Sequence, residues 1–296
     1  MKTVIDWFNI PREYHQKGEV GIEIEVEGRR LPQAPKYWRA DYDGSLRGAE
    51  NLEYVLTKPL SRNASRVALG YLKRAFKENK STIDDTVRAG IHIHINVQEL
   101  NIVEVYNMMC LYLVMEPLLI KYCGEGREGN LFCLRAMDAP FLLHMLSRAA
   151  RRRHFRELVS DNLRYASMNV KALGQYGSLE FRALRSTSDM ERINKWVELL
   201  LCIKDAAKKF ADPVDVINSF SLDGQDAFIN NVFGGNAELV KGLSDDYQVL
   251  MQAGMRCSQD VAFSVNWQAF LEPEMVEIGG LKFPKNMWFD EPQHDW

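Results

Sequence analysis

The sequence predicts an α+β fold, and three observations carry the prediction. Residues 21–27 and 90–97 alternate apolar and polar side chains with period two, the mark of strands with one buried face. Residues 61–79, 100–122 and the stretch after Ser188 carry helical stripes or apolar runs of helical length. These strands and helices are mixed without strict βαβ alternation.

Along the chain, Ile22, Ile24 and Val26 share one face of the first strand, and Glu23, Glu25 and Glu27 the other. Residues 52–56 read as a second short strand. Residues 61–79 read as a helix with Leu69, Leu72 and Phe76 on one stripe. In residues 90–97, Ile91, Ile93 and Ile95 oppose His92, His94 and Asn96. Residues 100–122 read as a buried helix. Its most apolar part, between Glu104 and Glu116, falls short of the roughly 20 apolar residues of a membrane span. Residues 140–158 look helical, with Pro140 in the first turn, where its missing N–H costs little. Residues 178–183 form a short strand with Glu180 and Arg182 on one face. Ser188 and Glu191 have capping-box spacing. They open a helix striped by Met190, Ile193, Trp196, Val197, Leu200 and Leu201 that ends near Phe210. Beyond Pro213 the texture changes, with Asp223-Gly224 and Gly234-Gly235-Asn236 clusters, short helices, and a tail bearing Trp288, Phe289 and Trp296. A soft boundary near residue 211 divides a domain of residues 1–210 from a helical or irregular extension, 211–296.

A chain of 296 residues suits one large domain or two small ones. Hydrophobic residues at 46% and charged residues at 26% exclude a disordered chain. Lys and Arg number 37 against 40 Asp and Glu, a net charge of -3, which excludes a generic polyanion binder. No nucleic-acid or membrane partner is expected. Cys110, Cys123, Cys133, Cys202 and Cys257 form no C-x-x-C pair and are odd in number. Neither a disulfide framework nor a zinc finger follows, and a reducing cytoplasm fits. Residues 1–6 show no apolar signal core.

The polar residues on the strands need explaining. Glu23, Glu25 and Glu27, two apart on one face, repel one another. The cluster is tolerable if solvated or if cations neutralise it. Asp41-Tyr42-Asp43-Gly44-Ser45 is a loop-like stretch whose Asp and Ser also suit a simple turn. His92 and His94 point together, and with carboxylates they can ligate metal, although a lone H-x-H is a weak signal. Glu180 and Arg182 share a face, with Arg164, Tyr165 and Asn169 upstream. Arginine suits bidentate contact with phosphate or carboxylate, and the plain alternative is a surface ion pair of little worth. If these strands share a sheet, it has a carboxylate-rich face bearing His and Arg, and an apolar back. Carboxylates around one cleft call for divalent cations, and oxygen ligands favour Mg²⁺ or Mn²⁺. The added arginines suggest a metal that carries a polyphosphate. The run Arg148, Arg151, Arg152, Arg153, Arg156 reads as a solvated helix face, or as a contact for an anion. There is no P-loop, no G-x-G-x-x-G and no G-x-S-x-G.

The ordered set of Gly21-Ile22-Glu23-Ile24-Glu25, Trp38, Asp43-Gly44-Ser45-Leu46, Glu53 with Pro59, Gly90-Ile91-His92-Ile93-His94-Ile95, Arg164-Tyr165 with Asn169, and Ser178-Leu179-Glu180-Phe181-Arg182 resembles the amidoligase family of carboxylate–amine ligases. That family is related to glutamate–cysteine ligase and, more distantly, to glutamine synthetase. Its members occur in bacteria, fungi and bacteriophages. The resemblance covers roughly residues 20–205. It implies a curved, mostly antiparallel sheet of glutamine-synthetase and glutamate–cysteine-ligase type with helices on the outer face. It implies ATP held by Mg²⁺ or Mn²⁺ on the inner face, with Glu23, Glu25, Glu53 and Glu180 as metal ligands. His92, Arg164, Arg182 and Asn169 would then lie at the cofactor, and Asp43, Arg182 and His94 at the chemistry. Asp43 and Ser45 would lie near the acceptor. The implied reaction joins a small-molecule or peptide carboxylate to an amine through an acyl phosphate. Asp43 is the first candidate for the base that deprotonates the amine, and His94 the second. Two other readings stand beside it. One is a metal-dependent hydrolase using the His and Glu cluster. The other is a ligase-like domain reused for binding or assembly, with the extension available to a protein partner or a second copy.

Overall fold

The structure, a computed structural model, describes residues 2–48, 50–161, 164–271, 275–278 and 281–284. Trp288, Phe289 and Trp296 lie outside the described residues. The elements run α1 (Val4–Phe8), β1 (Val20–Arg29), β2 (Trp38–Asp41), β3 (Glu50–Leu56), α2 (Arg62–Glu78), β4 (Thr82–Ile83), β5 (Gly90–Asn96), α3 (Ile102–Cys123), α4 (Pro140–Arg152), β6 (Met168–Asn169), α5 (Ala172–Tyr176), β7 (Ser178–Arg185) and α6 (Met190–Ala207). There follow α7 (Pro213–Leu222), α8 (Gln225–Phe233), α9 (Ala237–Lys241), α10 (Tyr247–Ala262), α11 (Gln268–Leu271) and a hairpin, β8 (Met275–Ile278) and β9 (Leu281–Pro284).

The main sheet has the order β2-β3-β1-β5-β7-β6, with β4 pairing the far end of β1, and each of these pairs is antiparallel. The α+β prediction therefore holds, as an open antiparallel sheet with helices. Alternation sets its two faces. Ile22, Ile24 and Val26 of β1, Ile91, Ile93 and Ile95 of β5, and Leu179 and Phe181 of β7 are all buried. Helices α3 and α6 pack against β7 and β5. The stripe read from sequence on α6, from Met190 to Leu201, is buried throughout.

Helix α3 begins at a capping box in which Asn101 accepts from the Val103 and Glu104 amides and Glu104 caps the Asn101 amide. Among the described residues it is the one helix long and apolar enough to cross a membrane, but 94% of its most apolar window is buried inside the protein. It is the core helix that its sequence predicts. Helix α10 lies along it. A Cβ at Gly254 would come within 2.3 Å of the Val114 carbonyl and 2.5 Å of that of Leu113, so only glycine permits this approach. Val216, Phe220, Phe228, Met251 and Val261 from the helices after residue 211 join the same buried core.

Two differences from the sequence reading change which side chains meet. The helix expected over residues 140–158 stops at Arg152, because Arg153 turns left-handed at φ 50° and the chain resumes as a 3-10 turn, Phe155–Val159. The fold-back lets Glu157 gather Arg148 Nε at 2.7 Å and Arg152 Nη1 at 3.3 Å. Arg153 leans on the Phe270 ring and donates to the Ala269 carbonyl. These three members of the basic run are thus engaged within the protein. The second difference is the cap of α6. It is Asp189, not Ser188, and its Oδ1 accepts from the Glu191 and Arg192 amides at 3.1 Å each.

Glu116 of α3 is buried at 2% exposure, and its Oε2 accepts from the Ala136 amide at 2.7 Å. Burial pushes its carboxyl up to about 7. The folded protein therefore binds this proton more tightly than the unfolded chain does. Stability linked to Glu116 is whole below about pH 4.5 and is lost as pH rises through about 7. Glu116→Gln should match wild type near pH 4 and exceed it at pH 8 and above, by up to about 3 kcal/mol. Urea unfolding at both pH values checks this, and equal stabilities at pH 8 would refute it.

Candidate functional site

The site lies on the polar face of five neighbouring strands. Register places Glu25 of β1 opposite Glu53 of β3, and Glu23 of β1 opposite His92 of β5. His94 pairs with Glu180 of β7, and Glu180 with Asn169 of β6. Period two on each strand keeps these side chains on one side while the isoleucines fill the other. The glutamates of β1 are not a solvated face, since Glu25 and Glu27 are buried and Glu23 is half-buried.

Glu23 is the hub. Its Oε2 lies 3.3 Å from His92 Nδ1, and its Oε1 lies 3.5 Å from His94 Nε2. His92 also reaches Glu25 Oε1 and Glu180 Oε1, each at 3.6 Å. Two sets of donors converge, Glu23–His94–Glu180 and Glu23–Glu53–His92, each with its donor atoms within 4.8 Å of one another. Both contain Glu23. Glu25 belongs to neither; its Oε2 accepts from the Gly90 amide at 2.9 Å, and its Oε1 faces His92.

The electrostatics follow from this packing. Burial alone would raise Glu23, but hydrogen bonds and charge from His92 and His94 hold it far below the usual carboxylate range. Burial pushes Glu53 up to about 7, and the neighbouring Glu23 and Glu25 charges add to the push. Burial alone would lower His94, yet Glu23 and Glu180 draw it upward. The donor set fits a divalent cation. It combines carboxylate oxygens with imidazole, its carboxylates repel one another, and the buried His94 Nε2 has no contact shorter than the 3.5 Å to Glu23 Oε1.

Glu180 is further held by Asn169 Nδ2 at 2.6 Å and by Arg182 Nη1 at 2.5 Å. Asn169 and Arg182 thus orient this carboxylate. Asp43 forms a turn by accepting from the Ser45 amide at 2.7 Å, and it stands close enough to Glu53 to add to its upward shift. Glu27 accepts from the Arg47 amide and so fastens the same turn to β1. Arg164 stacks on Tyr165 with its guanidinium 4.5 Å from the ring. A cavity of about 270 Å³ adjoins Glu25 and His92 and is lined by Ser45, Arg164 and Arg182. It is also lined by Arg88 and Arg127, which sequence reasoning missed.

Arg127 sits in the loop between α3 and α4, far in sequence from every strand motif. Its Nε donates to the Ala183 carbonyl at 2.7 Å and its Nη2 to the Arg182 carbonyl at 2.9 Å. No periodicity announces it. The nearest signal is its place as the lone cation in the stretch Gly124-Glu125-Gly126-Arg127-Glu128-Gly129.

A family model described as "putative amidoligase enzyme" matches residues 56–204. The chain belongs to that family. The matched segment holds His92, His94, Arg127, Arg164, Asn169, Glu180 and Arg182, which is the β5–β6–β7 half of the site. It begins at residue 56 rather than 20, so Glu23, Glu25 and Glu53 lie outside it. Strand pairing, not the family match, brings those three glutamates to the amidoligase residues. No curated protein matches the chain significantly.

Proposed function

We propose that this amidoligase is an ATP-dependent carboxylate–amine ligase with a glutamine-synthetase-like or glutamate–cysteine-ligase-like cleft. The observation that carries the reading is the pair of donor sets sharing Glu23 beside an arginine-lined cavity. Glu23, Glu53 and Glu180, with His92 and His94, would hold Mg²⁺ or Mn²⁺, and Glu25 would support them from Gly90. Such ions neutralise charge on phosphate oxygens. Arg164 and Arg182 would contact the phosphates of ATP or of the acyl phosphate formed when a substrate carboxylate attacks the terminal phosphate. Asp43 and His94 are the candidates for accepting the proton that the amine loses. Small-molecule or peptide carboxylates and amines fit as substrates.

Calorimetric titration of a non-hydrolysable ATP analogue, with and without Mg²⁺, tests this in wild type and Glu180→Gln. The expected result is Mg²⁺-dependent binding in wild type that Glu180→Gln weakens by at least about tenfold, since the variant keeps the shape of the side chain but loses its charge. A folded wild-type protein that binds no nucleotide would refute the ligase reading. One observation favours a second reading. An imidazole in each donor set also suits zinc-type or manganese-type hydrolytic sites. Metal-dependent cleavage of amides or phosphoesters without ATP would mark that hydrolase.

A further inference from the structure

The pairing of β5 with β7 is irregular. Between Ile91 and Ile93, two steps along β5 match three along β7, from Phe181 to Leu184. A bulge of this kind leaves backbone groups out of the ladder and re-aims the side chain beside it. Here the Arg182 and Ala183 carbonyls turn to Arg127, which donates to both. Arg127 therefore clamps the bulge that aims Arg182 at Glu180.

The clamp consumes Nε and Nη2 but not Nη1. Arg127 is 2% exposed, and its Nη1 is buried without a partner beside the cavity it lines. The Nε of Arg182 is buried and unpartnered in the same way. An orphaned buried donor costs free energy unless a ligand satisfies it. Charge points the same way. Among the described residues, Arg88, Arg127 and Arg164 have no carboxylate oxygen within 4.0 Å, and only Arg182 of the four cavity arginines is paired. Gly90 keeps the approach open. A Cβ there would stand 3.2 Å from Arg127 Nη2 and 3.5 Å from His92 Nε2. The cavity volume of about 270 Å³ sits at the lower edge of the roughly 300–1,000 Å³ of small-ligand sites and has room for a phosphoryl group.

We infer that this cavity is a subsite for a compact, multiply charged phosphoryl oxyanion, with Arg127 both as bulge clamp and as the buried donor. The surplus of guanidinium charge selects against a monocarboxylate. The inference deepens the ligase reading, whose phosphoryl group would sit here, but its test needs neither metal nor turnover.

The test is calorimetric titration of the full chain with pyrophosphate in EDTA, for wild type, Arg127→Lys and Arg127→Gln, with malonate as the carboxylate comparison. Circular-dichroism melts accompany each variant. Pyrophosphate should bind wild type more tightly than malonate. Both variants should weaken it by at least about tenfold, because lysine keeps the charge but not the fork. Should the Arg127 variants fail to fold, Gly90→Ala takes their place, since it keeps the guanidinium but crowds it and must weaken binding likewise. Wild type that binds no pyrophosphate overturns the proposal. So does Arg127→Lys, or in its place Gly90→Ala, binding as wild type does, and so does malonate binding as tightly as pyrophosphate. None of these outcomes bears on Mg²⁺-dependent nucleotide binding through Glu180, so the two readings can fail separately.

Discussion

Replacing Glu23 by Gln is expected to abolish Mn²⁺ binding at both of the proposed donor sets at once. Glu23 belongs to both donor sets, whereas Glu53 and Glu180 belong to one each. Titration with Mn²⁺ should give two sites per chain in wild type and one in either Glu53→Gln or Glu180→Gln. Glu23→Gln should lose at least about 100-fold in affinity at both. Loss of a residue that merely orients a ligand already costs about 10–100-fold, and a shared ligand must cost more. Turnover should fall with metal occupancy. Glu27→Gln is the control, because Glu27 lies on the same strand but holds the Arg47 amide and stands in neither set. A further readout comes from Glu53, which burial and then the Glu23 and Glu25 charges push up to about 7. With Glu23 neutral, Glu53 should titrate lower, observable by carboxyl carbon resonances in metal-free protein. Unchanged Mn²⁺ stoichiometry and affinity in Glu23→Gln would defeat the two-site reading.

The parts of this site legible in the sequence are those that alternation displays. Glu23 with Glu25, His92 with His94, and Glu180 with Arg182 each sit two apart on strands whose other face is aliphatic, so each pair reveals its direction before the sheet is known. Their meeting on one sheet is then a matter of register, which the structure supplies through the Glu23–His92 and His94–Glu180 pairings. What sequence reading missed has no period to reveal it. Strands β4 and β6 are two residues long, too short for alternation to appear. Arg127 acts through backbone carbonyls exposed by a bulge, and a bulge is a property of two strands together. The slip from Ser188 to Asp189 at the cap of α6 has the same origin. Both residues are good caps, and only the approach to the Glu191 and Arg192 amides decides between them. The Glu25 side chain offers a subtler case. Its sequence position matches that of Glu23, yet it stands outside both donor sets and gives one oxygen to the Gly90 amide.

The opposite face of the same strands carries the second large effect, and it falls on stability. Ile93→Ala should cost about 2–5 kcal/mol, the range for truncating a fully buried aliphatic side chain. Ile93 is 0% exposed. It sits mid-strand on β5, opposite Ile22 of β1 and Phe181 of β7, so no edge is available to relax the cavity. Tyr112 of α3 packs on the Phe181 ring at 4.8 Å, which places the lost methyl groups beneath the core helix. His92 and His94 flank Ile93 in sequence but point the other way, toward Glu23 and Glu180. Urea unfolding in EDTA should therefore show the loss, while the Mn²⁺ affinity of the folded fraction stays close to wild type. Glu23→Gln should show the reverse pattern. If Ile93→Ala weakened metal binding as severely as it weakened the fold, the two faces would not be separable. The polar cluster would then owe its geometry to core packing and not to strand register. If neither quantity moved, Ile93 would not face the core. Neighbouring residues on one strand thus test whether a single period-two pattern serves folding on one side and chemistry on the other.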